Sequence, residues 1–252
     1  MPATTPVRRA VTWYAHQPVL RAVVPGVLLI GLGVLVFGAM YDAVDERDDF
    51  SLLDRPVLEF LVAARNDVAT SLLAGLTFIT GPTVLPIVVL VVCLVWGRVR
   101  REWWRPLLLA GAMIGSTLLS LAVKGLVARP RPPEETMYIP GSETTGSFPS
   151  GHTIGTATFL FVAAYLVASR SRTTRSVVGW LLLSLVGVTA VALSRLYLGY
   201  HFLTDVIAAT GLALAVVGVV TVVDRLHVLH GLPRSEPDPG WSPQPPRNLP
   251  GT

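Results

Sequence analysis

The chain has 252 residues, of which 52% are hydrophobic and only 14% charged, against about 25% charged in an ordinary soluble domain; a simple water-soluble fold is excluded. The net charge of +4 is spread over the gaps between apolar runs, which is a pattern of membrane topology and not a nucleic-acid-binding patch. A lone cysteine, Cys93, excludes an intramolecular disulfide framework and reads as a small buried hydrophobe.

Six stretches contain no Asp, Glu, Lys or Arg: 22–40, 68–97, 106–123, 153–169, 176–194 and 206–223. Runs of about 20 apolar residues rise through a hydrocarbon core of roughly 30 Å as helices. The expected fold is therefore all-α, a polytopic six-transmembrane-helix bundle. The first run follows Arg8, Arg9 and Arg21 and holds 19 residues. That exceeds the about 7–15 residues of a signal-peptide core, so it reads as a retained first span. Within the 41–67 loop, residues 56–66 begin with Pro56 and set Val57, Leu58, Leu61 and Val62 on one side, predicting a short amphipathic helix on the membrane interface. The 68–97 run contains Gly81-Pro82, so it is either a kinked, tilted span or a span whose first part is a surface helix. Gly111 and Gly115 form a small-xxx-small pair that can bring helices close. Residues 1–21 are expected as a cytoplasmic segment, 22–224 as the six-helix domain, and 225–252 as a disordered cytoplasmic tail rich in proline.

Loop charges set the orientation. Residues 1–21, 98–105, 170–175 and 224–252 hold 13 Lys and Arg against four acids, whereas the 41–67 loop holds eight acids against three arginines. The positive-inside rule puts both termini in the cytoplasm and the 41–67, 124–152 and 195–205 loops outside.

Those outward junctions carry the remaining polar chemistry. Lys124 and Arg129-Pro130-Arg131-Pro132 follow the third span, Pro149-Ser150-Gly151-His152 opens the fourth, and Ser194-Arg195, His201 and Asp205 join the fifth to the sixth. Lys124, Arg131 and Arg195 together suit a phosphoryl group whose equatorial oxygens gain charge during transfer. Ser150 can cap a helix whose exposed N–H groups favour an anion, and Gly151 lets the backbone approach a ligand. His201 and Asp205, four apart, are expected to share a face of a helical turn, with Asp205 holding one imidazole nitrogen protonated and the other free to attack. His152 can protonate a departing alkoxide and later take a proton from water. Taken singly, each feature has an ordinary reading: a snorkelling cation, a rigid proline loop, a helix cap, a capping salt bridge. Their convergence on one face argues against coincidence. A Zn²⁺ site on His152, His201 and Asp205 is disfavoured by three nearby cations.

In this order and spacing the residues resemble the type 2 phosphatidic acid phosphatase superfamily of membrane lipid phosphatases. Its signatures are Lys, six residues, Arg-Pro; Pro-Ser-Gly-His; and Ser-Arg, five residues, His, three residues, Asp. They read here as Lys124 to Arg131-Pro132, Pro149 to His152, and Ser194-Arg195 to His201 and Asp205. The resemblance implies that His201 is a nucleophile forming a phosphohistidine, Asp205 its orienting partner and His152 the general acid and base. It implies that Lys124, Arg131, Ser150, Gly151 and Arg195 hold the phosphate, with no metal or other cofactor. Arg129 receives no role from it.

The expected activity is a metal-independent lipid phosphate or pyrophosphate phosphatase at the outer face of a plasma membrane, with membrane lipids around it and no nucleic acid. Undecaprenyl pyrophosphate, phosphatidylglycerophosphate and phosphatidic acid are candidate substrates. A phosphotransferase using the same phosphohistidine stays open as an alternative. A transporter of anionic lipids is disfavoured, because a carrier needs polar groups near the midplane. Vanadate-dependent haloperoxidases share the phosphate signatures but are soluble.

Overall fold

The computed structural model describes residues 17–170 and 173–231. Eight α-helices cross them: α1 Pro18–Glu46, α2 Asp54–Ala63, α3 Asp67–Ile79, α4 Val84–Arg100, α5 Trp104–Val127, α6 Gly151–Ala168, α7 Thr174–Tyr197 and α8 Leu203–Gly231. Five of them, α1, α5, α6, α7 and α8, are long and apolar enough to cross a bilayer, and the bent pair α3–α4 passes the same measure when its two helices are taken together, as a broken span or a re-entrant loop. The bundle is all-α among the described residues. The 232–252 part of the expected tail, like residues 1–16, lies outside them. Residues 225–231 are helical, because α8 runs on to Gly231, and α1 starts at Pro18, before the expected boundary.

Local chemistry sets the helix ends. Pro18 occupies the first turn of α1, where its missing N–H costs nothing. Asn66 Oδ1 accepts the Ala69 N–H at 3.0 Å and starts α3. The Gly81-Pro82 step ends α3, and α4 leaves at 55° to it. The 68–97 run is thus broken at Gly81-Pro82, where Pro82 cannot continue the hydrogen-bond ladder, and the break fits both a kinked span and a span preceded by a surface helix. The amphipathic helix expected at 56–66 is α2. Leu58 is buried and Phe60 exposed, while Asp54 at its start turns inward and is buried.

Close helix contact lies elsewhere than expected. A Cβ on Gly111 or Gly115 would meet nothing within 4 Å, so that pair faces away from the other helices. Instead α1 and α8 run antiparallel through two glycine pairs, seven residues apart on each helix. A Cβ on Gly33 would lie 2.4 Å from the Gly211 carbonyl oxygen, and one on Gly218 2.5 Å from that of Gly26. Only hydrogen at these positions lets the backbones meet. α6 lies inside the bundle, with Ala157, Val162 and Leu166 fully buried. Leu28 and Leu35 of α1, Leu118 of α5, and Leu182 and Val186 of α7 stay exposed, the apolar belt expected of a lipid-facing surface. Alternating helix directions bring the end of α5, the start of α6, the end of α7 and the start of α8 to the same end of the bundle.

Candidate active site

At that end the three predicted sets meet. Lys124 rises from the last turn of α5, and its Nζ donates to the Gly146 carbonyl at 2.5 Å. Arg131 lies in the loop beyond. Its Nε donates to the Thr145 carbonyl at 2.7 Å and its Nη1 to the Tyr200 carbonyl at 2.9 Å, 3.4 Å from His201 Nε2. Arg195, from the end of α7, is 1% exposed and lies over the Tyr200 ring at 4.4 Å. Lys124, Arg131, Gly151, His152 and His201 line one cavity of about 360 Å³, whose other wall is apolar (Leu85, Met113, Leu121, Ile154). A second cavity of about 430 Å³ adjoins it, with Arg195 and Tyr200 on its wall. His152 and Glu143 line both.

Ser150 is placed differently. It is fully buried and caps α6: its Oγ accepts the Thr153 N–H at 3.5 Å and lies 3.0 Å from the Thr153 hydroxyl. Its own N–H donates to the Asp205 carbonyl at 3.1 Å, which fastens the start of α6 to the start of α8. Ser150 therefore shapes the helix start, while Gly151 and His152 face the cavity.

His201 is not on a helix, contrary to expectation. It precedes Leu203, the first residue of α8, while Asp205 sits in the first turn. The Phe202 N–H donates to Asp205 Oδ2 at 2.9 Å, the return half of a capping box. This fold-back of the chain, not a helical i,i+4 face, brings His201 Nδ1 to 3.2 Å from Asp205 Oδ2. Ser147 Oγ also donates to Asp205 Oδ2 and lies 3.4 Å from His201 Nδ1. With Nδ1 occupied, Nε2 is the nitrogen that faces the cavity beside Arg131. Burial pushes the His201 imidazole down to about 4, although Asp205 opposes the shift. The ring is therefore uncharged at neutral pH, as a nucleophile must be.

Three polar residues of this end had no assigned role in the sequence. Arg129 bridges the carboxylates Asp54 and Asp205: its Nη2 is 2.6 Å from Asp54 Oδ2 and its Nη1 2.5 Å from Asp205 Oδ1. Asp54 also accepts the Thr204 N–H at 2.9 Å and the Thr204 hydroxyl at 2.7 Å, tying α2 to the start of α8. Both oxygens of Asp205 are thus held, one by Arg129 and the other by His201, Ser147 and the Phe202 N–H. Glu143, in the 133–148 loop, ion-pairs with Arg195 Nη2 and, at 3.0 Å, with Arg131 Nη2. Burial alone would raise the Glu143 carboxyl, but the Arg195 and Arg131 guanidiniums outweigh it and hold the group below its usual value. The available signals were faint: Arg129 stands two residues before a signature arginine, and Asp54 stands among acids that read as topology.

Taken together, the two adjoining cavities offer a nucleophilic nitrogen, a second imidazole, three cations and a helix start, with an apolar wall alongside. That set suits transfer of a phosphoryl group from an ester whose remainder is hydrophobic.

Comparison with known proteins agrees. Residues 105–227 match the model of the PAP2 superfamily. Phosphatidylglycerophosphatase B of Bacillus subtilis (strain 168) is 26% identical over 179 residues, which span 68% of this chain and 83% of that protein. The crystal structure of a transmembrane PAP2 type phosphatidylglycerolphosphate phosphatase from Bacillus subtilis superposes with a TM-score of 0.68, at 23% identity, over 77% of this chain and 96% of that one. The shared fold therefore reaches beyond the family match, over most of the bundle.

Proposed function

We propose that the chain is a membrane lipid phosphate phosphatase of the PAP2 superfamily, whose model residues 105–227 match, and that it works through a phosphohistidine on His201. The observation that carries this reading is the placement of His201. Its Nδ1 is tied to Asp205, and its Nε2 opens on a cavity that His152 and Lys124 also line. Lys124, Arg131 and Arg195 hold the three terminal oxygens, and the Gly151 N–H at the start of α6 adds a donor. His201 Nε2 attacks phosphorus while the bond to the alkoxide breaks on the far side, where His152 supplies the proton. Asp205 balances the charge left on the ring. In the second half, His152 takes a proton from water, the hydroxide attacks phosphorus, and the N–P bond breaks to return His201 and release inorganic phosphate.

The apolar wall of Leu85, Met113, Leu121 and Ile154 suits a substrate whose tail stays in lipid while its head enters the pocket. Phosphatidylglycerophosphate, phosphatidic acid and undecaprenyl pyrophosphate fit that description, and the first is what the Bacillus relative is named for. The loop charges support an outward-facing site in a plasma membrane with both termini cytoplasmic. A reporter inserted near residue 140 is then external and one fused after residue 235 internal; the reverse inverts the leaflet. A phosphotransferase remains a second reading, favoured by the adjoining cavity, which leaves room for an acceptor alcohol beside His152 and Arg195.

The test is a phosphate-release screen of purified protein on isoprenoid and glycerolipid phosphates in excess chelator. Release that His201→Ala abolishes is the expected result. Full activity of that variant, or complete loss of wild-type activity on chelation, overturns the mechanism. Transfer of label to an added alcohol in preference to water selects the phosphotransferase.

A further inference from the structure

The loop between α5 and α6 returns over the site. Gly141, at φ +69°, turns it back, and the donors of Arg131 and Lys124 fasten Thr145 and Gly146 beneath it. Between these points the Glu143 carboxylate lies between Arg131 Nη2 and Arg195 Nη2, one oxygen to each. Its side chain is 23% exposed, whereas Arg131 is 8% and Arg195 1% exposed, so the guanidiniums are fixed and the acid approaches them from the loop. Glu143 also lines both cavities, at the boundary between them. These are the two arginines that the functional reading assigns to the phosphoryl oxygens. A carboxylate and a phosphate compete for the same bidentate donors.

Two features of this competition matter. The first is tethering: a group on a short loop acts at an effective concentration of about millimolar or more. A free ligand must exceed that before it occupies the same donors. The second is charge. A phosphodiester carries one negative charge on two free oxygens, like the carboxylate it would displace. A terminal phosphate carries about −1.5 to −2 at neutral pH on three oxygens, and can engage Arg131, Arg195 and Lys124 together. The surrounding lipids are themselves largely phosphodiesters, present in great excess over any phosphomonoester.

We propose that Glu143 is a tethered competitor for the phosphate seat, a monoanion that keeps the two arginines closed to phosphodiester headgroups too weak to displace it and yields them to a terminal phosphate. The inference rests on the reading of Arg131 and Arg195 as phosphate ligands. On displacement, the carboxylate loses two guanidinium partners and the incoming dianion gains them with Lys124 besides. Removal of Glu143 therefore strengthens binding of both ligand classes by the same factor, because the cost of displacing it is common to them; the diester, with one charge fewer, is the ligand this cost holds off the seat.

Headgroup probes without acyl chains test this independently of turnover and of partition into micelles. Methyl phosphate and dimethyl phosphate differ by one ionisable oxygen. Their dissociation constants are measured calorimetrically on the full-length protein in detergent, for wild type, Glu143→Gln and Glu143→Ala. Wild type is expected to prefer methyl phosphate by at least about tenfold. In both variants dimethyl phosphate and methyl phosphate should each tighten about tenfold, the order expected from losing a tethered competitor that both must displace. An unchanged or weakened dimethyl phosphate affinity in the variants overturns the proposal, as does binding of neither probe by any form. Wild type that binds methyl phosphate selectively yet releases no phosphate from any lipid phosphate overturns the functional reading while leaving the role of Glu143 standing.

Discussion

Helix α8 carries two buried carboxylates, Asp205 in its first turn and Asp224 near its other end, 0% and 3% exposed. Their surroundings differ in kind. Asp224 accepts from neutral donors, the Trp104 indole at 3.0 Å and the Tyr165 hydroxyl at 3.1 Å, and so clamps α5 and α6 to α8. The Trp104 ring stacks in turn on His227 at 3.7 Å, which gives that histidine a packing role. Asp205 faces a cation, an imidazole, a hydroxyl and a backbone N–H, and its imidazole opens on a cavity. Burial of an acid does not distinguish structure from chemistry. What distinguishes them here is that Asp205's partners can change charge or move a proton, and that one of them reaches solvent-accessible space.

The sharpest way to break the comparison is to treat both acids alike. Asp205→Asn should lower kcat by about 10³- to 10⁴-fold, because the amide presents the wrong group to His201 Nδ1 and the free nitrogen is no longer the one that faces phosphorus. A loss under tenfold would put Asp205 in the same class as Asp224.

The next effect comes from the pair behind Asp205. Arg129→Gln should lower kcat about 10- to 100-fold with a smaller change in KM, the usual range for a group that orients a catalytic residue. The sign of its pH effect is specific. The groups facing His201 are Asp205, Arg131, Arg195, Ser147, Glu143 and His152, and Arg129 acts on it through Asp205. Removing that cation leaves Asp205 less neutralised and His201 more basic. The imidazole is then protonated at higher pH, and the acidic limb of kcat moves up. Asp54→Asn removes an anion from the same chain and should move the limb down. Shifts of the same sign in both variants would reduce the Asp54–Arg129 pair to a structural clasp.

The smallest effect on activity belongs to the far end. Asp224→Asn should leave kcat within about threefold of wild type, while destabilising the bundle by about 1–2 kcal/mol through the weakened hydrogen bonds. Thermal denaturation in detergent reads the second part. A large loss of kcat at unchanged stability would mean that the two ends are coupled.

The sequence made the spans legible because a bilayer excludes charge, and six charge-free runs leave few ways to thread the chain. It also made the signature residues legible, because each set has fixed spacing and topology puts all three on one face. The loops were a different matter. Glu143 is one acid in the 133–148 stretch, and nothing local says that the stretch folds back between Arg131 and Arg195. Arg129 and Asp54 are 75 residues apart, so their pairing depends on how α2 docks against α8. Glycine was ambiguous for a related reason. Gly111 and Gly115 had the motif but no facing helix, whereas Gly26, Gly33, Gly211 and Gly218 carry the contact because α1 and α8 happen to present them to each other. The placement of His201 turned on a capping fold-back that an i,i+4 spacing imitates.

The most direct measurement is to trap the reaction halfway. Purified wild-type and His152→Ala protein are mixed with ³²P-labelled substrate bearing a good leaving group and quenched in alkali, which preserves a phosphorus–nitrogen bond; the label is then located by peptide mass spectrometry. Label on His201, accumulating in His152→Ala because the water that should discharge it lacks its base, is the expected result. Label on any other residue, or none in either protein while phosphate is released, would contradict it.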